Sequence, residues 1–198
     1  MSIVHRLPCS FDFPAEASMS QTRYTSTAIF LHWLMAIMLL CLFCVGFYMH
    51  GLPLSPFKLK IYSWHKWAGV TVFLLVWLRL IWRFGHRPPA LPAGMGAAMR
   101  ALAHVGHLAL YLLMIAIPLS GWLMSSAKGV QTVYFGVLPL PDLIAPNQDL
   151  GHRLGAVHTA LNYLLAATVL GHAAAALKHH LLDKDDVLSR MLPWRARS

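Results

Sequence analysis

The stretch HTALNYLLAATVLGH, residues 158–172, decides how this chain folds. It lies within a longer apolar run, His152 to His180, which is long enough to cross a bilayer as a helix. Fourteen residues make four helical turns to within about 40°, so His158 and His172 leave one helix face about 21 Å apart. Ionisable groups at membrane depth are costly and usually face a partner inside a bundle. The stacked pair therefore predicts two cofactors, one above the other.

The composition of the chain is that of a membrane protein. Of its 198 residues, 58% are hydrophobic and 12% are charged, and the mean hydropathy is +0.57. Unpaired backbone polar groups are not tolerated in lipid, so long apolar runs are read as helices. Four such runs are present: Thr25–Tyr48, Tyr62–Phe84, His104–Ser125 and His152–His180. We predict an all-α membrane protein, a bundle of four transmembrane helices.

The basic residues predict the orientation of this bundle. With four spans, both termini and the middle loop lie on one side of the membrane. That side carries Arg6, Arg23, Arg79, Arg83, Arg87, Arg100, Lys178, Lys184, Arg190, Arg195 and Arg197, against Lys58, Lys60, Lys66, Lys128 and Arg153 on the other. The excess places both termini in the cytoplasm. The net charge of +9 is thus explained by topology and lipid contact, and no nucleic-acid-binding signature accompanies it.

The chain divides into one domain and two short ends. Residues 1–22 form a polar N-terminal extension without the apolar segment of a cleavable signal peptide. Met19 lies close to the first helix, so an alternative is that translation starts there and the preceding residues have no structural role. Residues 23–193 form the four-helix domain, and residues 194–198 form a basic C-terminal tail.

The depths of four histidines predict what the bundle holds. His32 lies near the cytoplasmic start of the first span and His65 near the periplasmic start of the second. Since the fourth span also starts at the periplasm, His65 pairs in depth with His158 outside, and His32 pairs with His172 inside. Two bis-histidine haems between the helices of a bundle require this arrangement. The alternative for each histidine taken singly is an interfacial position.

Three further residues bear on the inner site. Arg79 follows His65 by fourteen residues, so it shares the His65 face at inner depth, where a guanidinium suits a haem propionate. The alternative is that Arg79 extends to the cytoplasmic headgroups. His104 and His107 start the third span; we interpret them as groups near the haem or a quinone, with interfacial packing as the alternative. Both are rivals to His32 for the inner iron.

Two weaker expectations concern packing around the haems. Gly69, Gly155 and Gly171 lie close to the histidines in sequence and would let a flat macrocycle or another helix approach. The long loop from Ala127 to Leu150 is apolar and proline-rich, so we expect it to fold over the outer haem.

Four motifs resemble one known family. They are YTSTAIFLHWL at 24–34, VWLRLIWR at 76–83, AHVGHLALYLLMIAIPLSG at 103–121 and ALKHHLLDKDDVLSRMLP at 176–193. In this combination the chain resembles the bacterial cytochrome b561 family, four-helix dihaem proteins of the inner membrane related to the cytochrome b subunits of nickel–iron hydrogenases. The resemblance covers nearly everything from Arg23 to Pro193.

The resemblance implies two b-type haems on His32, His65, His158 and His172, the four residues that depth alone selects. It also implies electron exchange with ubiquinone, and some members of the family oxidise superoxide at the periplasmic face. We therefore expect transmembrane electron transfer between a periplasmic donor and the membrane quinone pool. The alternatives are a haem-bearing anchor subunit that docks a periplasmic hydrogenase or reductase, and a metal-ion transporter, which the near absence of carboxylates within the spans disfavours. A homodimer is a further possibility.

Overall fold

The molecule consists mainly of four long helices. The structure, a computed structural model, describes residues 23–92 and 94–194. The helices are α1 (Ser26–His50), α2 (Pro56–Gly85), α3 (Ala97–Ala127) and α4 (Gln148–Leu181). A two-stranded antiparallel hairpin, β1 (Val133–Tyr134) and β2 (Leu138–Pro139), lies between α3 and α4, and a short 3-10 turn, Ser189–Met191, follows α4. The N-terminal extension and the last four residues of the basic tail lie outside the described residues.

All four helices are long and apolar enough to cross a membrane, as the sequence predicts. The observed helices extend beyond the predicted spans, most clearly at the starts of α2 and α3. Side-chain caps explain several of these starts: Thr25, Ser55 and Asn147 each accept a hydrogen bond from the backbone N–H three residues on. Pro56 occupies the first position of α2, where a missing N–H costs nothing.

The bundle is packed in chain order, α1 on α2, α2 on α3 and α3 on α4. Its centre is a small apolar cluster to which every helix contributes: Met35, Val72, Val76, Leu113, Met114, Ile117 and Leu165. Large apolar side chains such as Phe30, Leu40 and Leu170 are exposed on the outer faces. An apolar exterior is what lipid requires of a spanning bundle, so the membrane supplies much of the burial that a soluble bundle would find in its core.

The segment after α4 crosses the end of the bundle that carries His172. The Trp33 indole Nε1 donates a hydrogen bond to the Met191 carbonyl oxygen at 2.7 Å. The Arg23 guanidinium donates to the Leu192 carbonyl, and Arg190 donates to the Ala90 carbonyl in the connection between α2 and α3. The C-terminal segment thereby ties the start of α1 to the α2–α3 connection.

Candidate functional site

Three imidazole rings from three helices meet near the His172 end of the bundle. The His32 ring on α1 and the His172 ring on α4 have centroids 6.2 Å apart, with their planes at 62°. The His107 ring on α3 lies 5.3 Å from His172. His104, one turn earlier on α3, is exposed and does not join this group. We call His32, Arg79, His107, Tyr111 and His172 the His172 cluster.

Arg79 of α2 turns into this cluster rather than towards the bilayer surface. Its Nε donates to the Tyr111 hydroxyl at 3.1 Å, and its Nη1 donates to the Ala28 carbonyl oxygen at 3.3 Å. Its Nη2 lies 3.4 Å from Nδ1 of His32. A cation therefore lies beside the α1 histidine inside the bundle, at the depth that the fourteen-residue spacing from His65 predicts.

His158 is oriented by groups on α3. Its Nδ1 lies 3.1 Å from the Ile117 carbonyl oxygen and 3.0 Å from the Ser120 hydroxyl oxygen. Ser120 in turn donates to the same carbonyl at 2.7 Å, so its oxygen is free to accept. A carbonyl only accepts, which places the imidazole hydrogen on Nδ1 and leaves the Nε2 lone pair available to a metal. Metal-bound histidines almost always donate their other N–H in this way.

His65 carries an unsatisfied buried group. Among the residues that the structure describes, its Nδ1 is a buried polar atom with no hydrogen-bond partner. A buried polar atom left without a partner costs free energy.

Two glycines make room for these rings. A Cβ atom at Gly46 of α1 would lie 3.3 Å from Cε1 of His65, and one at Gly121 of α3 would lie 3.1 Å from Cε1 of His158. By contrast, a Cβ atom at Gly69 or Gly171 would meet nothing within 4 Å. Gly155 approaches the Met124 sulfur instead. Gly46 and Gly121 were not foreseen, because they lie on helices facing the histidines rather than near them along the chain, and the role of Gly69, Gly155 and Gly171 beside a haem stays a prediction.

The donor set fits haem iron. Two imidazoles on opposite sides of one metal have ring centroids roughly 6 Å apart, because each metal–nitrogen bond is about 2 Å and half a ring adds about 1 Å on either side. The His32–His172 separation of 6.2 Å matches this value, whereas the His107–His172 separation of 5.3 Å is short of it. His32 is thus the better geometric partner for His172, and His107 lies at the side of the pair.

A cleft opens beside Arg79 at the same end of the bundle. It is a small groove open to the surroundings rather than an enclosed cavity, and its walls include Tyr24, Trp82, Arg83 and Tyr111. The Trp82 indole donates to the Thr25 hydroxyl at 2.9 Å and stacks on His86 at 4.0 Å between centroids. The cleft combines flat aromatic walls with cationic donors next to the His172 cluster.

A four-helix membrane bundle with histidines at two depths defines a membrane cytochrome. The chain belongs to the prokaryotic cytochrome b561 family, whose model matches residues 23–194. Membership implies b-type haem and membrane electron transport. The resemblance that the four sequence motifs carry is therefore confirmed.

Three relatives cover nearly all of the domain. The chain is 35% identical to cytochrome b561 homolog 2 of Escherichia coli over 171 residues, which is 86% of this chain and 91% of that protein. It is 28% identical to the probable superoxide oxidase CybB of Yersinia pestis over 171 residues, 86% of this chain and 96% of that protein. Cytochrome b561 homolog 1 of Escherichia coli is 27% identical over 177 residues, 87% of this chain and 98% of its own length.

Proposed function

We propose that this cytochrome carries electrons across the membrane through two bis-histidine b-type haems, between a periplasmic donor and the quinone pool. The observation that carries the proposal is the approach of His32 and His172, whose ring centroids lie 6.2 Å apart although 140 residues separate them in the chain. Haem bound there would supply one-electron chemistry. With His32 and His172 both serving as ligands, the haem would offer no binding site to oxygen.

The second haem would be held by His65 and His158. The hydrogen bond from Nδ1 of His158 to the Ile117 carbonyl supports this assignment, since it presents Nε2 as a ligand before any metal binds. The glycines opposite both rings support it further. The two haems would then lie about 21 Å apart along α4.

Arg79 would serve as the propionate anchor of the His172-end haem. An imidazole bound to iron through one nitrogen carries hydrogen on the other, so His32 and Arg79 would both be donors at their present contact. With haem bound, Arg79 would no longer have an acceptor at His32, and its guanidinium would be available to hold a propionate. His107 would remain beside His172 without binding iron.

The cleft beside Arg79 is our candidate for the quinone. Its aromatic walls suit a flat ring, and Tyr111 and Arg83 offer hydrogen bonds to carbonyl oxygens. It adjoins the His172 cluster through Arg79, which contacts both. An electron would have a short path between the two sites.

Orientation follows from the distribution of basic residues, which favours cytoplasmic termini and a cytoplasmic His172 end in the bacterial inner membrane. The His158 end would then face the periplasmic donor. The relative described as a probable superoxide oxidase makes superoxide the first donor to test. The role of haem-bearing anchor subunit would instead require a separate periplasmic enzyme, and a metalloenzyme that co-purifies in equal amount would favour it.

Reoxidation of the reduced protein by a short-chain ubiquinone tests the proposal. We expect reduced haem absorbance to decay rapidly on mixing, and we expect Arg83→Ala in the cleft to slow the decay. Arg100→Ala is the matched control, since Arg100 lies on the same side but donates only to the Met95 carbonyl. A wild-type protein whose haem is not reoxidised by quinone would contradict the proposal. Equal decay rates in the Arg83→Ala and Arg100→Ala variants would contradict the assignment of the quinone to the cleft.

A further inference from the structure

The segment between Lys128 and Asp142 contains no charged residue. It forms the β1–β2 hairpin, in which Tyr134 pairs with Leu138. Its three turn residues are Phe135, Gly136 and Val137, and the first two have φ values of 50° and 73°, in the left-handed region. A bulky residue rarely adopts this conformation. The tip is nonetheless apolar and exposed: 60% for Phe135, 83% for Val137 and 56% for Leu138.

The hairpin is fixed against α2. The Trp67 indole donates to the Val133 carbonyl oxygen at 2.6 Å, and the Tyr134 hydroxyl lies 2.9 Å from the Thr71 hydroxyl. The Phe135 and Trp67 rings lie 5.4 Å apart between centroids. Trp67 and Thr71 are about 200° and 240° around α2 from His65, so the hairpin lies on the side of α2 away from that histidine. The hairpin itself does not cover the His65 face, and the position of the rest of the loop over an outer haem stays a prediction.

The depth of the hairpin follows from these contacts. The uninterrupted apolar run of α2 starts at Trp67, directly after Lys66, and Thr71 lies about 6 Å further along the helix axis. The Lys66 ammonium donates to the Val130 carbonyl oxygen where the loop leaves α3. Trp64, three residues before Trp67, is itself 47% exposed. Tryptophan and tyrosine at the start of an apolar run are typical of the interface between headgroups and hydrocarbon.

We propose that the tip of this hairpin inserts into the lipid interface and anchors the loop beside α2. Exposed apolar side chains at this depth continue the lipid-facing surface of α2, on which Leu74 is 54% exposed. In water the same patch would be an uncompensated apolar surface, whereas lipid accepts it. The absence of charge from Gly129 to Pro141 removes the usual obstacle to insertion. The proposal does not depend on the number of haems or on the direction of electron flow.

Spin-label accessibility tests this proposal. Cys9, Cys41 and Cys44 are first replaced, and a nitroxide is attached at Val137→Cys in haem-loaded protein reconstituted into phosphatidylcholine–phosphatidylglycerol vesicles. We expect the ratio of collision rates with oxygen and with a water-soluble nickel chelate to approach that of Leu170→Cys, on the exposed outer face of α4. Asp142→Cys, exposed in the same loop, is the aqueous control and should show a several-fold lower ratio.

Equal ratios at 137 and 142 would overturn the proposal. A label that is aqueous in vesicles but shielded from both reagents in native membranes would also overturn it, because a protein would then cover the hairpin. Leu138→Cys provides a second tip position, and unchanged helical circular dichroism establishes that each labelled protein is folded.

Discussion

The histidines of the bundle differ in what holds their second nitrogen. His158 has a carbonyl and a hydroxyl within 3.1 Å of Nδ1, His65 has no partner there, and His32 faces the Arg79 guanidinium. Since the group that receives this hydrogen tunes the electron donation of a metal-bound imidazole, chemically identical ligands acquire different strengths. In our proposal the two haems therefore differ in reduction potential. The His158 ring is the one already held by hydrogen bonds in an orientation that can bind a metal.

Ser120→Ala should weaken the His158 site selectively. The substitution removes one of two acceptors of the Nδ1 hydrogen, and outer partners of this kind typically change metal affinity about 10-fold or more. We expect faster haem loss from one of two sites and a higher midpoint potential there, because the imidazole becomes a weaker donor. A spectroelectrochemical titration measures both. Ser120→Thr should restore the wild-type values, and Ser63→Ala, a helix-surface serine, should leave them unchanged.

Single ligand variants should separate the two sites. We expect His158→Ala to lose one haem and keep the other, and His172→Ala to do the reverse, since about 21 Å of helix separates the two positions. Pyridine haemochrome quantification with low-temperature spectra measures the loss. His104→Ala is the control, because that side chain is exposed. Equal loss of both haems from either variant would argue against two separate sites.

The sequence predicts the depth of each histidine but not the neighbouring groups that hold its ring or make room for it. Depth follows from counting residues along a helix, so the approach of His32 to His172 could be foreseen. The Ser120 contact and the glycine opposite each ring could not, because they depend on how each helix is rotated against its neighbour. Gly46 and Gly121 could have been predicted by looking in the neighbouring spans for small residues at the same depth as His65 and His158.

The segment after α4 combines its hydrogen bonds to α1 and to the α2–α3 connection with local ionic contacts. Lys178 pairs with Asp183 at 2.7 Å and Arg190 pairs with Asp186 at 2.8 Å. His179, which is buried, lies 2.7 Å from an Asp185 carboxylate oxygen. A hydrogen bond from Lys178 holds the pKa of Asp183 below its usual range, and one from Arg190 does the same to the pKa of Asp186.

Acid should therefore loosen this segment. A carboxyl group with a depressed pKa stabilises the folded form above its unfolded pKa, about 3.9, and that contribution is lost as the pH falls through the lower folded value. We expect hydrogen-exchange protection of residues 183–192 to fall below about pH 4. In Asp183→Asn/Asp186→Asn the protection should already be reduced at neutral pH and should depend less on acid. Asp142→Asn in the opposite loop is the control, and an unchanged acid response in the double variant would contradict this account.

The helix boundaries show why hydropathy alone gives spans rather than helices. The predicted second span starts at Tyr62, but α2 starts at Pro56, because Ser55 caps a helix whose first turns carry Lys58 and Lys60. Those lysines lie over the Tyr62 and Trp64 rings, so polar residues continue the helix at the interface. The apolar pattern marks only the part of α2 that contacts lipid. The helix itself continues past that part to its N-cap, Ser55.

For the whole molecule, topology is the first prediction. We expect a green fluorescent protein fused after Ser198 to be fluorescent in a bacterial host and alkaline phosphatase at the same position to be inactive, since the basic residues favour a cytoplasmic C terminus. Alkaline phosphatase inserted within the long loop, after the exposed Asp142, should be active. The opposite pattern would reverse the orientation and exchange the donor and quinone ends.

The haem content of the purified protein tests the central claim most directly. A reduced-minus-oxidised spectrum, with haem quantified against protein by amino-acid analysis, should give two b-type haems per chain, because our proposal assigns one histidine pair to each of two depths. One haem would contradict the assignment of either the His158 site or the His172 cluster. A chain that binds no haem at all would contradict the account as a whole.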